Sequence, residues 1–363
     1  MPIHNLFIVN PHLILLCTIV FLIALTLNYM SIKLWGRNKN NVTETYKNKN
    51  SNIQKIHEGS IPRLGGINIF LVFLCCIFLF NFFNLDTSLI VKITLCSLPF
   101  IIITLIEDLY QNISPILRLV FLLLCSFMFL YFFLEKLPNI EIFYIDKFIN
   151  IPIYSAIFFT IGLTAFMNGV NFLDGTNGLA GFTIVSCLLS LLFVAIIFND
   201  FHNASIIIIF LVLIFAFIFF NYPNGKIFLG DVGAYFLGWF TGIMTITIMA
   251  KNPNIPNWCA LIILSYPLVE VIFSFLRKII VKKNPFYPDN KHLHLKLYFF
   301  LKDKHKIRPI SAANSLVTPF LAVQWISPII LIPWIYNSNF LILIAIIFQI
   351  IIYLIFYFSI KVE

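Results

Sequence analysis

Apolar residues in this chain gather into long unbroken runs, not into the one-sided stripes of an amphipathic fold. A bilayer-spanning helix needs about 20 mostly apolar residues. Eleven runs reach or approach that length: 11–32, 65–83, 89–106, 116–134, 151–167, 179–198, 205–220, 234–250, 259–276, 314–335 and 340–360. The 205–220 run is short unless Asn221 and Tyr222 sit in the interface. Ser114-Pro115 heads the fourth run as an N-cap followed by proline at the first helical position. The pattern predicts an all-α polytopic membrane protein with about 11 (10–11) transmembrane helices. Neither of the longest loops, 33–63 and 277–310, reads as a soluble domain, so residues 1–363 are expected to form one integral-membrane domain. No internal repeat of the kind that builds many transporters stands out.

Composition removes the soluble alternative. Hydrophobic residues make up 60% of the 363 and charged residues 11%, with 42 phenylalanines. Mean hydropathy is +0.96. Soluble domains run nearer ~45–50% apolar and ~25% charged. The seven cysteines lie in or beside apolar runs with no C-x-x-C pair, which reads as buried small hydrophobes rather than a metal or disulfide framework. The first 32 residues carry no Lys or Arg, so the first run is expected to be a span and not a cleaved leader.

A net charge of +9 could suggest nucleic acid, but in a polytopic chain it first reads as loop bias. With the N-terminus outside, 20 of the 24 Lys and Arg residues fall on the inner side, and only Lys92, Lys136, Lys147 and Lys251 on the outer. This predicts a periplasmic N-terminus, a cytoplasmic C-terminus and no nucleic-acid partner.

On that orientation the unusual polar residues collect at the inner face, where residues at membrane depth are functional candidates. Glu107-Asp108 closes the third span against the negative end of its helix dipole and calls for a metal or basic partner, unless it is simply a solvated end. Asn168, Asn171, Asp174 and Asn177 recur every three residues and offer hard oxygens suited to Mg²⁺ or to a base or sugar, with Asp174 as a cap of the sixth span as the plain alternative. Gly230-Asp231-Val-Gly233 opens the eighth span, where Asp231 could be an ordinary N-cap. His292-Leu-His294 stands in the basic 277–310 loop without a third ligand at zinc spacing, so phosphate contact fits better than a metal site, and a solvated polybasic loop is the bland reading. Glu270 lies inside the ninth span with Arg277 as its nearest helical partner.

Taken in order, these motifs resemble the polyprenyl-phosphate N-acetylhexosamine-1-phosphate transferases, the MraY/WecA group of glycosyltransferase family 4. The likeness runs from about 53 to 300, from Lys55-x-His57-x-Gly59 and Pro62-x-x-Gly65-Gly66 through Glu107-Asp108, Ser114, Arg118, Asn168 to Gly178, Asn221 and Phe228-x-Gly230-Asp231-x-Gly233 to His292-x-His294. The resemblance implies transfer of a sugar-1-phosphate, an N-acetylhexosamine-1-phosphate, from a UDP-sugar to undecaprenyl or another polyprenyl phosphate. UMP would be released, as the first membrane step of a cell-surface glycan.

It further implies a multi-pass protein of the bacterial inner membrane with a cytoplasmic active site, Mg²⁺ as cofactor with Mn²⁺ as a substitute, and room for a homodimer. Asp231, Asn171 and Asp108 would hold the metal, and Asn177, Asn171, Asn221, Arg118 and Lys55 would contact substrate. Asp108, Glu107, Asp174, His292 and His294 would be catalytic. Glu107 replaces the family's first Asp, Asn177 stands where several relatives have Asp, and the missing third His argues against a muramyl-pentapeptide substrate. The competing class, a secondary transporter or flippase, expects ionisable residues near the midplane of several spans. Apart from Arg118 at the edge of the fourth run, only Glu270 and Lys92 lie inside spans here.

Overall fold

A computed structural model describes residues 11–37, 61–285, 289–307 and 310–360. Its elements are α1 (Leu13–Arg37), α2 (Gly65–Phe82), α3 (Ser88–Tyr110), α4 (Pro115–Phe132), the short α5 (Phe143–Ile149), α6 (Pro152–Leu173), α7 (Leu179–Ile197), α8 (Phe201–Asn221) and α9 (Gly230–Lys251). There follow α10 (Cys259–Ile263), α11 (Ser265–Ile280), α12 (Leu293–Phe299) running into a π-helical turn (Phe300–Lys304), α13 (Ile310–Phe320), α14 (Ala322–Ile335) and α15 (Asn339–Ser359). No strand occurs among the described residues.

Ten stretches among the described residues are long and apolar enough to cross a membrane, Ser311–Ile335 counting as one. The expected ninth span is the exception, because it is broken into α10 and α11. Proline is the cause. Pro267 has no N–H to give the carbonyl four residues back, and the Cys187 thiol reaches that Ile263 oxygen instead, at 3.0 Å. The odd count that sets the two termini on opposite sides rests on treating this broken pair as one crossing.

The centre of the bundle is α9, which packs against α6, α3, α2 and α7. Its Phe236 and Phe240 meet Phe73 edge-on, with ring centroids 5.4 and 5.6 Å away, and Phe210 lies flat on Phe240 at 3.6 Å. Without a hydrophobic driving force between helices in lipid, close approach at small residues does much of the packing. A Cβ on Gly238 would sit 2.9 Å from the Met167 backbone of α6, and one on Gly66 would strike the backbone of Gly233. The glycines of the Gly65-Gly66 and Gly230-x-x-Gly233 motifs are therefore one interlock. Gly65 and Gly66 donate to the carbonyls of Phe228 and Leu229, both at 2.9 Å, and Phe228 donates to Pro62.

Candidate active site

The ends of α3, α6, α8 and α11 and the starts of α4, α7 and α9 meet at one end of the bundle. Two boundaries differ from the apolar runs. The fifth span continues as α6 to Leu173, so Asn168 and Asn171 sit in its last turns and not in a loop. The eighth begins at Gly230, so Asp231 is already in the first turn of α9.

That shift decides what Asp231 does. The amide hydrogens of Asp231 and Val232 go to Asp108 of α3, at 2.9 and 3.0 Å. Asp108 is therefore the capping carboxylate of α9, and Asp231 is not its own helix's cap. Gly230 permits this with φ +72°, since a Cβ there would lie 2.7 Å from Asp108 Oδ2. Released from capping, Asp231 receives the Asn171 amide at 3.1 Å on one oxygen and forms a close ion pair with Arg118 on the other. Glu107 lies behind Arg118 at 3.8 Å, and its second oxygen accepts from the Ile113 N–H at 2.7 Å. Ser114 caps α4 as expected, accepting from Leu117 N at 3.2 Å, and this sets Arg118 one turn into that helix.

Asp174 does not cap α7. Gly178, at φ +80°, takes that position, and its N–H goes to Asn221 Oδ1 at 2.7 Å. Asp174 instead follows the end of α6, keeps part of its surface open, and carries a carboxyl pushed well above the ordinary range by burial; Arg63 and the Gly230 amide work against that rise. Arg63 was overlooked in the sequence, although it stands inside the Pro62-x-x-Gly65 motif.

Asn221 was expected at the substrate, yet both ends of its amide are occupied structurally: Oδ1 by Gly178 and Nδ2 by the carbonyl of Ile227 at 2.8 Å. Asn177 is similarly knitted in. Its Nδ2 donates to Pro223 O and Ser315 Oγ, its backbone N–H to Asn314 Oδ1 of α13. Only Oδ1, buried and facing Gly225, has no partner among the described residues. Lys55 lies outside the described residues.

The histidines part company. His292 Nδ1 is 2.9 Å from Glu270 Oε1, and its ring lies 4.7 Å from that of Phe172, the neighbour of Asn171. The partner of Glu270 is thus His292, together with the Tyr353 hydroxyl at 2.8 Å, and not Arg277. Arg277 pairs with Asp289 at 2.9 Å. Burial pulls Asp289 upward, but the hydrogen bond from Arg277 and the nearby His292 hold its carboxyl below the usual range. His294 packs against Gly175 with Nδ1 unpartnered among the described residues, and burial, aided by His292, drives it down to about 3. The ring is neutral at physiological pH, so any contact it makes with a phosphate or sugar is as a neutral imidazole.

Residues 90–249 match the family model for glycosyl transferase family 4. The chain is 28% identical over 242 residues to an undecaprenyl-phosphate alpha-N-acetylglucosaminyl 1-phosphate transferase of Thermotoga maritima, covering 66% of this chain and 69% of that one. It is 25% identical over 253 residues to a probable undecaprenyl-phosphate N-acetylglucosaminyl 1-phosphate transferase of Bacillus subtilis, 68% of each. A phospho-N-acetylmuramoyl-pentapeptide-transferase of Dictyoglomus thermophilum is 30% identical over 225 residues, 59% of this chain and 69% of that one. By these matches, the chain belongs with the polyprenyl-phosphate sugar-1-phosphate transferases of glycosyl transferase family 4.

Proposed function

We propose that the protein transfers a sugar-1-phosphate, an N-acetylhexosamine-1-phosphate, from a UDP-sugar to a polyprenyl phosphate at the cytoplasmic face of a bacterial inner membrane. The observation that carries this is the Asp108–Asp231–Asn171–Arg118 arrangement, drawn from four helices and placed beside basic residues. A lipid phosphate oxygen attacks the β-phosphorus. The bond from that phosphorus to the bridging oxygen breaks, and its electron pair leaves on UMP. A phosphomonoester dianion is nucleophilic at neutral pH, so the chemistry is mainly charge neutralisation and in-line placement.

The donor set fits Mg²⁺, which is commonly held by one or two carboxylates plus substrate phosphates. Among the described residues there is no cluster of three His, Cys, Asp or Glu, so an all-protein cage is absent. Asp231 and Asn171 would hold the ion, which when bound neutralises the pyrophosphate. Arg118, oriented by Glu107, supplies fixed positive charge. Asp108 acts through the α9 terminus as a positioning residue, its two oxygens accepting the Asp231 and Val232 N–H groups. Asp174, its carboxyl pushed upward by burial, stands near Arg63 and the Gly230 amide at the edge of this arrangement. Asn177 Oδ1 is the acceptor left for an imide N–H of uracil.

The test is UMP release by purified protein with polyprenyl phosphate, Mg²⁺ and a panel of UDP-sugars. Turnover with UDP-N-acetylglucosamine or a close hexosamine is expected. No UMP from any of them, in protein that remains folded, would overturn the reading.

A further inference from the structure

Two tyrosines of the last helix reach back to the histidine segment, although α15 lies far beyond the residues that match the family model. The Tyr353 hydroxyl donates to Glu270 Oε2, and Glu270 Oε1 faces His292 Nδ1. Four residues further, the Tyr357 carbonyl accepts from Lys296 Nζ at 2.5 Å, and the same ammonium lies 4.0 Å over the Tyr357 ring. Phe273 of α11 packs edge-on against both tyrosines, at 5.3 and 4.5 Å. Helices α11 and α15 thus hold α12 and the residue before it at two points.

Glu270 is 1% exposed. A buried carboxylate is expensive unless it is paired and hydrogen-bonded, and here each oxygen has one partner. One is a phenol that can only donate to it, and the other is an imidazole nitrogen. A carboxylate on one ring nitrogen fixes both the tautomer and the orientation of a histidine, leaving the opposite nitrogen for other work. The His292 ring is also gripped from the side by Phe172 and lies nearly parallel to that of His294, with centroids 5.8 Å apart. Nε2 is 3.7 Å from Asp289 Oδ1, too far for a hydrogen bond.

Resting on the transferase reading for its substrate, we infer that Glu270, backed by Tyr353, is a positioning residue: it keeps the His292 proton on Nδ1 and presents Nε2 to the phosphate or sugar. The ordering runs Tyr353 to Glu270 to His292, so the terminal helix α15 belongs to the site.

The test combines turnover with ¹⁵N-histidine NMR of the full-length protein in detergent, the His292 signals being assigned by their loss in His292→Asn. Wild type should show His292 protonated at Nδ1, and Glu270→Gln should broaden or redistribute that pattern. Turnover of Glu270→Gln should fall about 10–100-fold, the usual range for residues that orient a functional histidine, with KM for the UDP-sugar changed less than kcat. The double variant Glu270→Gln/His292→Asn should be no slower than His292→Asn alone, since the carboxylate acts only through the ring. Tyr353→Phe should show the same signature more weakly and stands in if Glu270→Gln fails to fold. Additive losses in the double variant, or an unchanged His292 pattern in both single variants, would overturn the inference. The NMR arm needs no turnover, so absence of UMP release in wild type would sink the transferase reading, and the His292 pattern alone would then uphold or overturn the positioning role of Glu270.

Discussion

At one end of the bundle Asp108, Glu270 and His292 are 3%, 1% and 4% exposed, and both carboxylates have a partner for each oxygen. At the other end most charged groups keep much of their side chain in water. Glu141 bridges the Asn257 backbone at 3.0 Å and the Asn339 amide at 2.5 Å, with Glu141 and Asn339 exposed and Asn257 half-buried. Lys251 reaches Asp200 at 3.6 Å with over half of its side chain open to solvent, while the Asp200 carboxylate is 9% exposed. The second end uses charge to tie loops together, where an exposed pair contributes about 0–1 kcal/mol. The first buries charge at a cost of several kcal/mol per ion unless partners offset it. Among the described residues the fully buried carboxylates, Asp108 and Glu270, both lie at the first end, and that is where the proposed transfer is placed.

The sharpest way to break this contrast is Asp231→Asn. The substitution keeps the side chain's size and its contact with Asn171, and leaves the α9 cap intact because Asp108 provides it. Thermal stability in detergent should stay close to wild type, while kcat falls on the order of 10²–10³, as when one preorganised electrostatic partner is removed. Near-wild-type turnover at saturating Mg²⁺ would return Asp231 to an ordinary surface acid.

A smaller effect should appear in the pH dependence of stability. His294 falls from its ordinary value to about 3 in the folded protein. The unfolded chain then takes up the proton first, so this contribution is full above pH ~6.5 and is lost as pH falls toward 3. At pH 5 the loss is about 2 kcal/mol, using an unfolded pKa of ~6.5. His294→Gln should flatten the decline in melting temperature between pH 7 and pH 5. An unchanged slope would show that the ring is not held neutral.

The smallest effect belongs to the far end. Glu141→Gln removes an exposed charge, and should shift stability by less than about 0.5 kcal/mol and leave turnover unaltered. A large loss of turnover there would erase the distinction between the two ends.

Much of this contrast was legible in the sequence, because the helices are written as apolar runs and the motifs fall where those runs stop. What periodicity could not show is which carboxylate caps which helix. Asp231 and Asp174 both looked like N-caps of the helix that follows them. The actual cap of α9 comes from Asp108, 123 residues earlier, and that of α7 is Gly178 with an amide from α8. Long-range pairings of this kind leave no local trace. The same holds for Glu270, whose partners His292 and Tyr353 come from other segments, while Arg277 on its own helix turns to Asp289. The break at Pro267 could be suspected from proline alone, but the thiol of Cys187 that takes over the freed carbonyl could not.

The central claim is that the buried-charge end carries out the transfer and faces the cytoplasm. Sealed vesicles containing the protein and polyprenyl phosphate test it most directly, with a membrane-impermeant UDP-sugar added outside. Inside-out vesicles should release UMP, Asp231→Asn should remove nearly all of that release, and right-side-out vesicles should be silent until permeabilised. Equal release from intact right-side-out vesicles, or release indifferent to Asp231→Asn, would contradict the account.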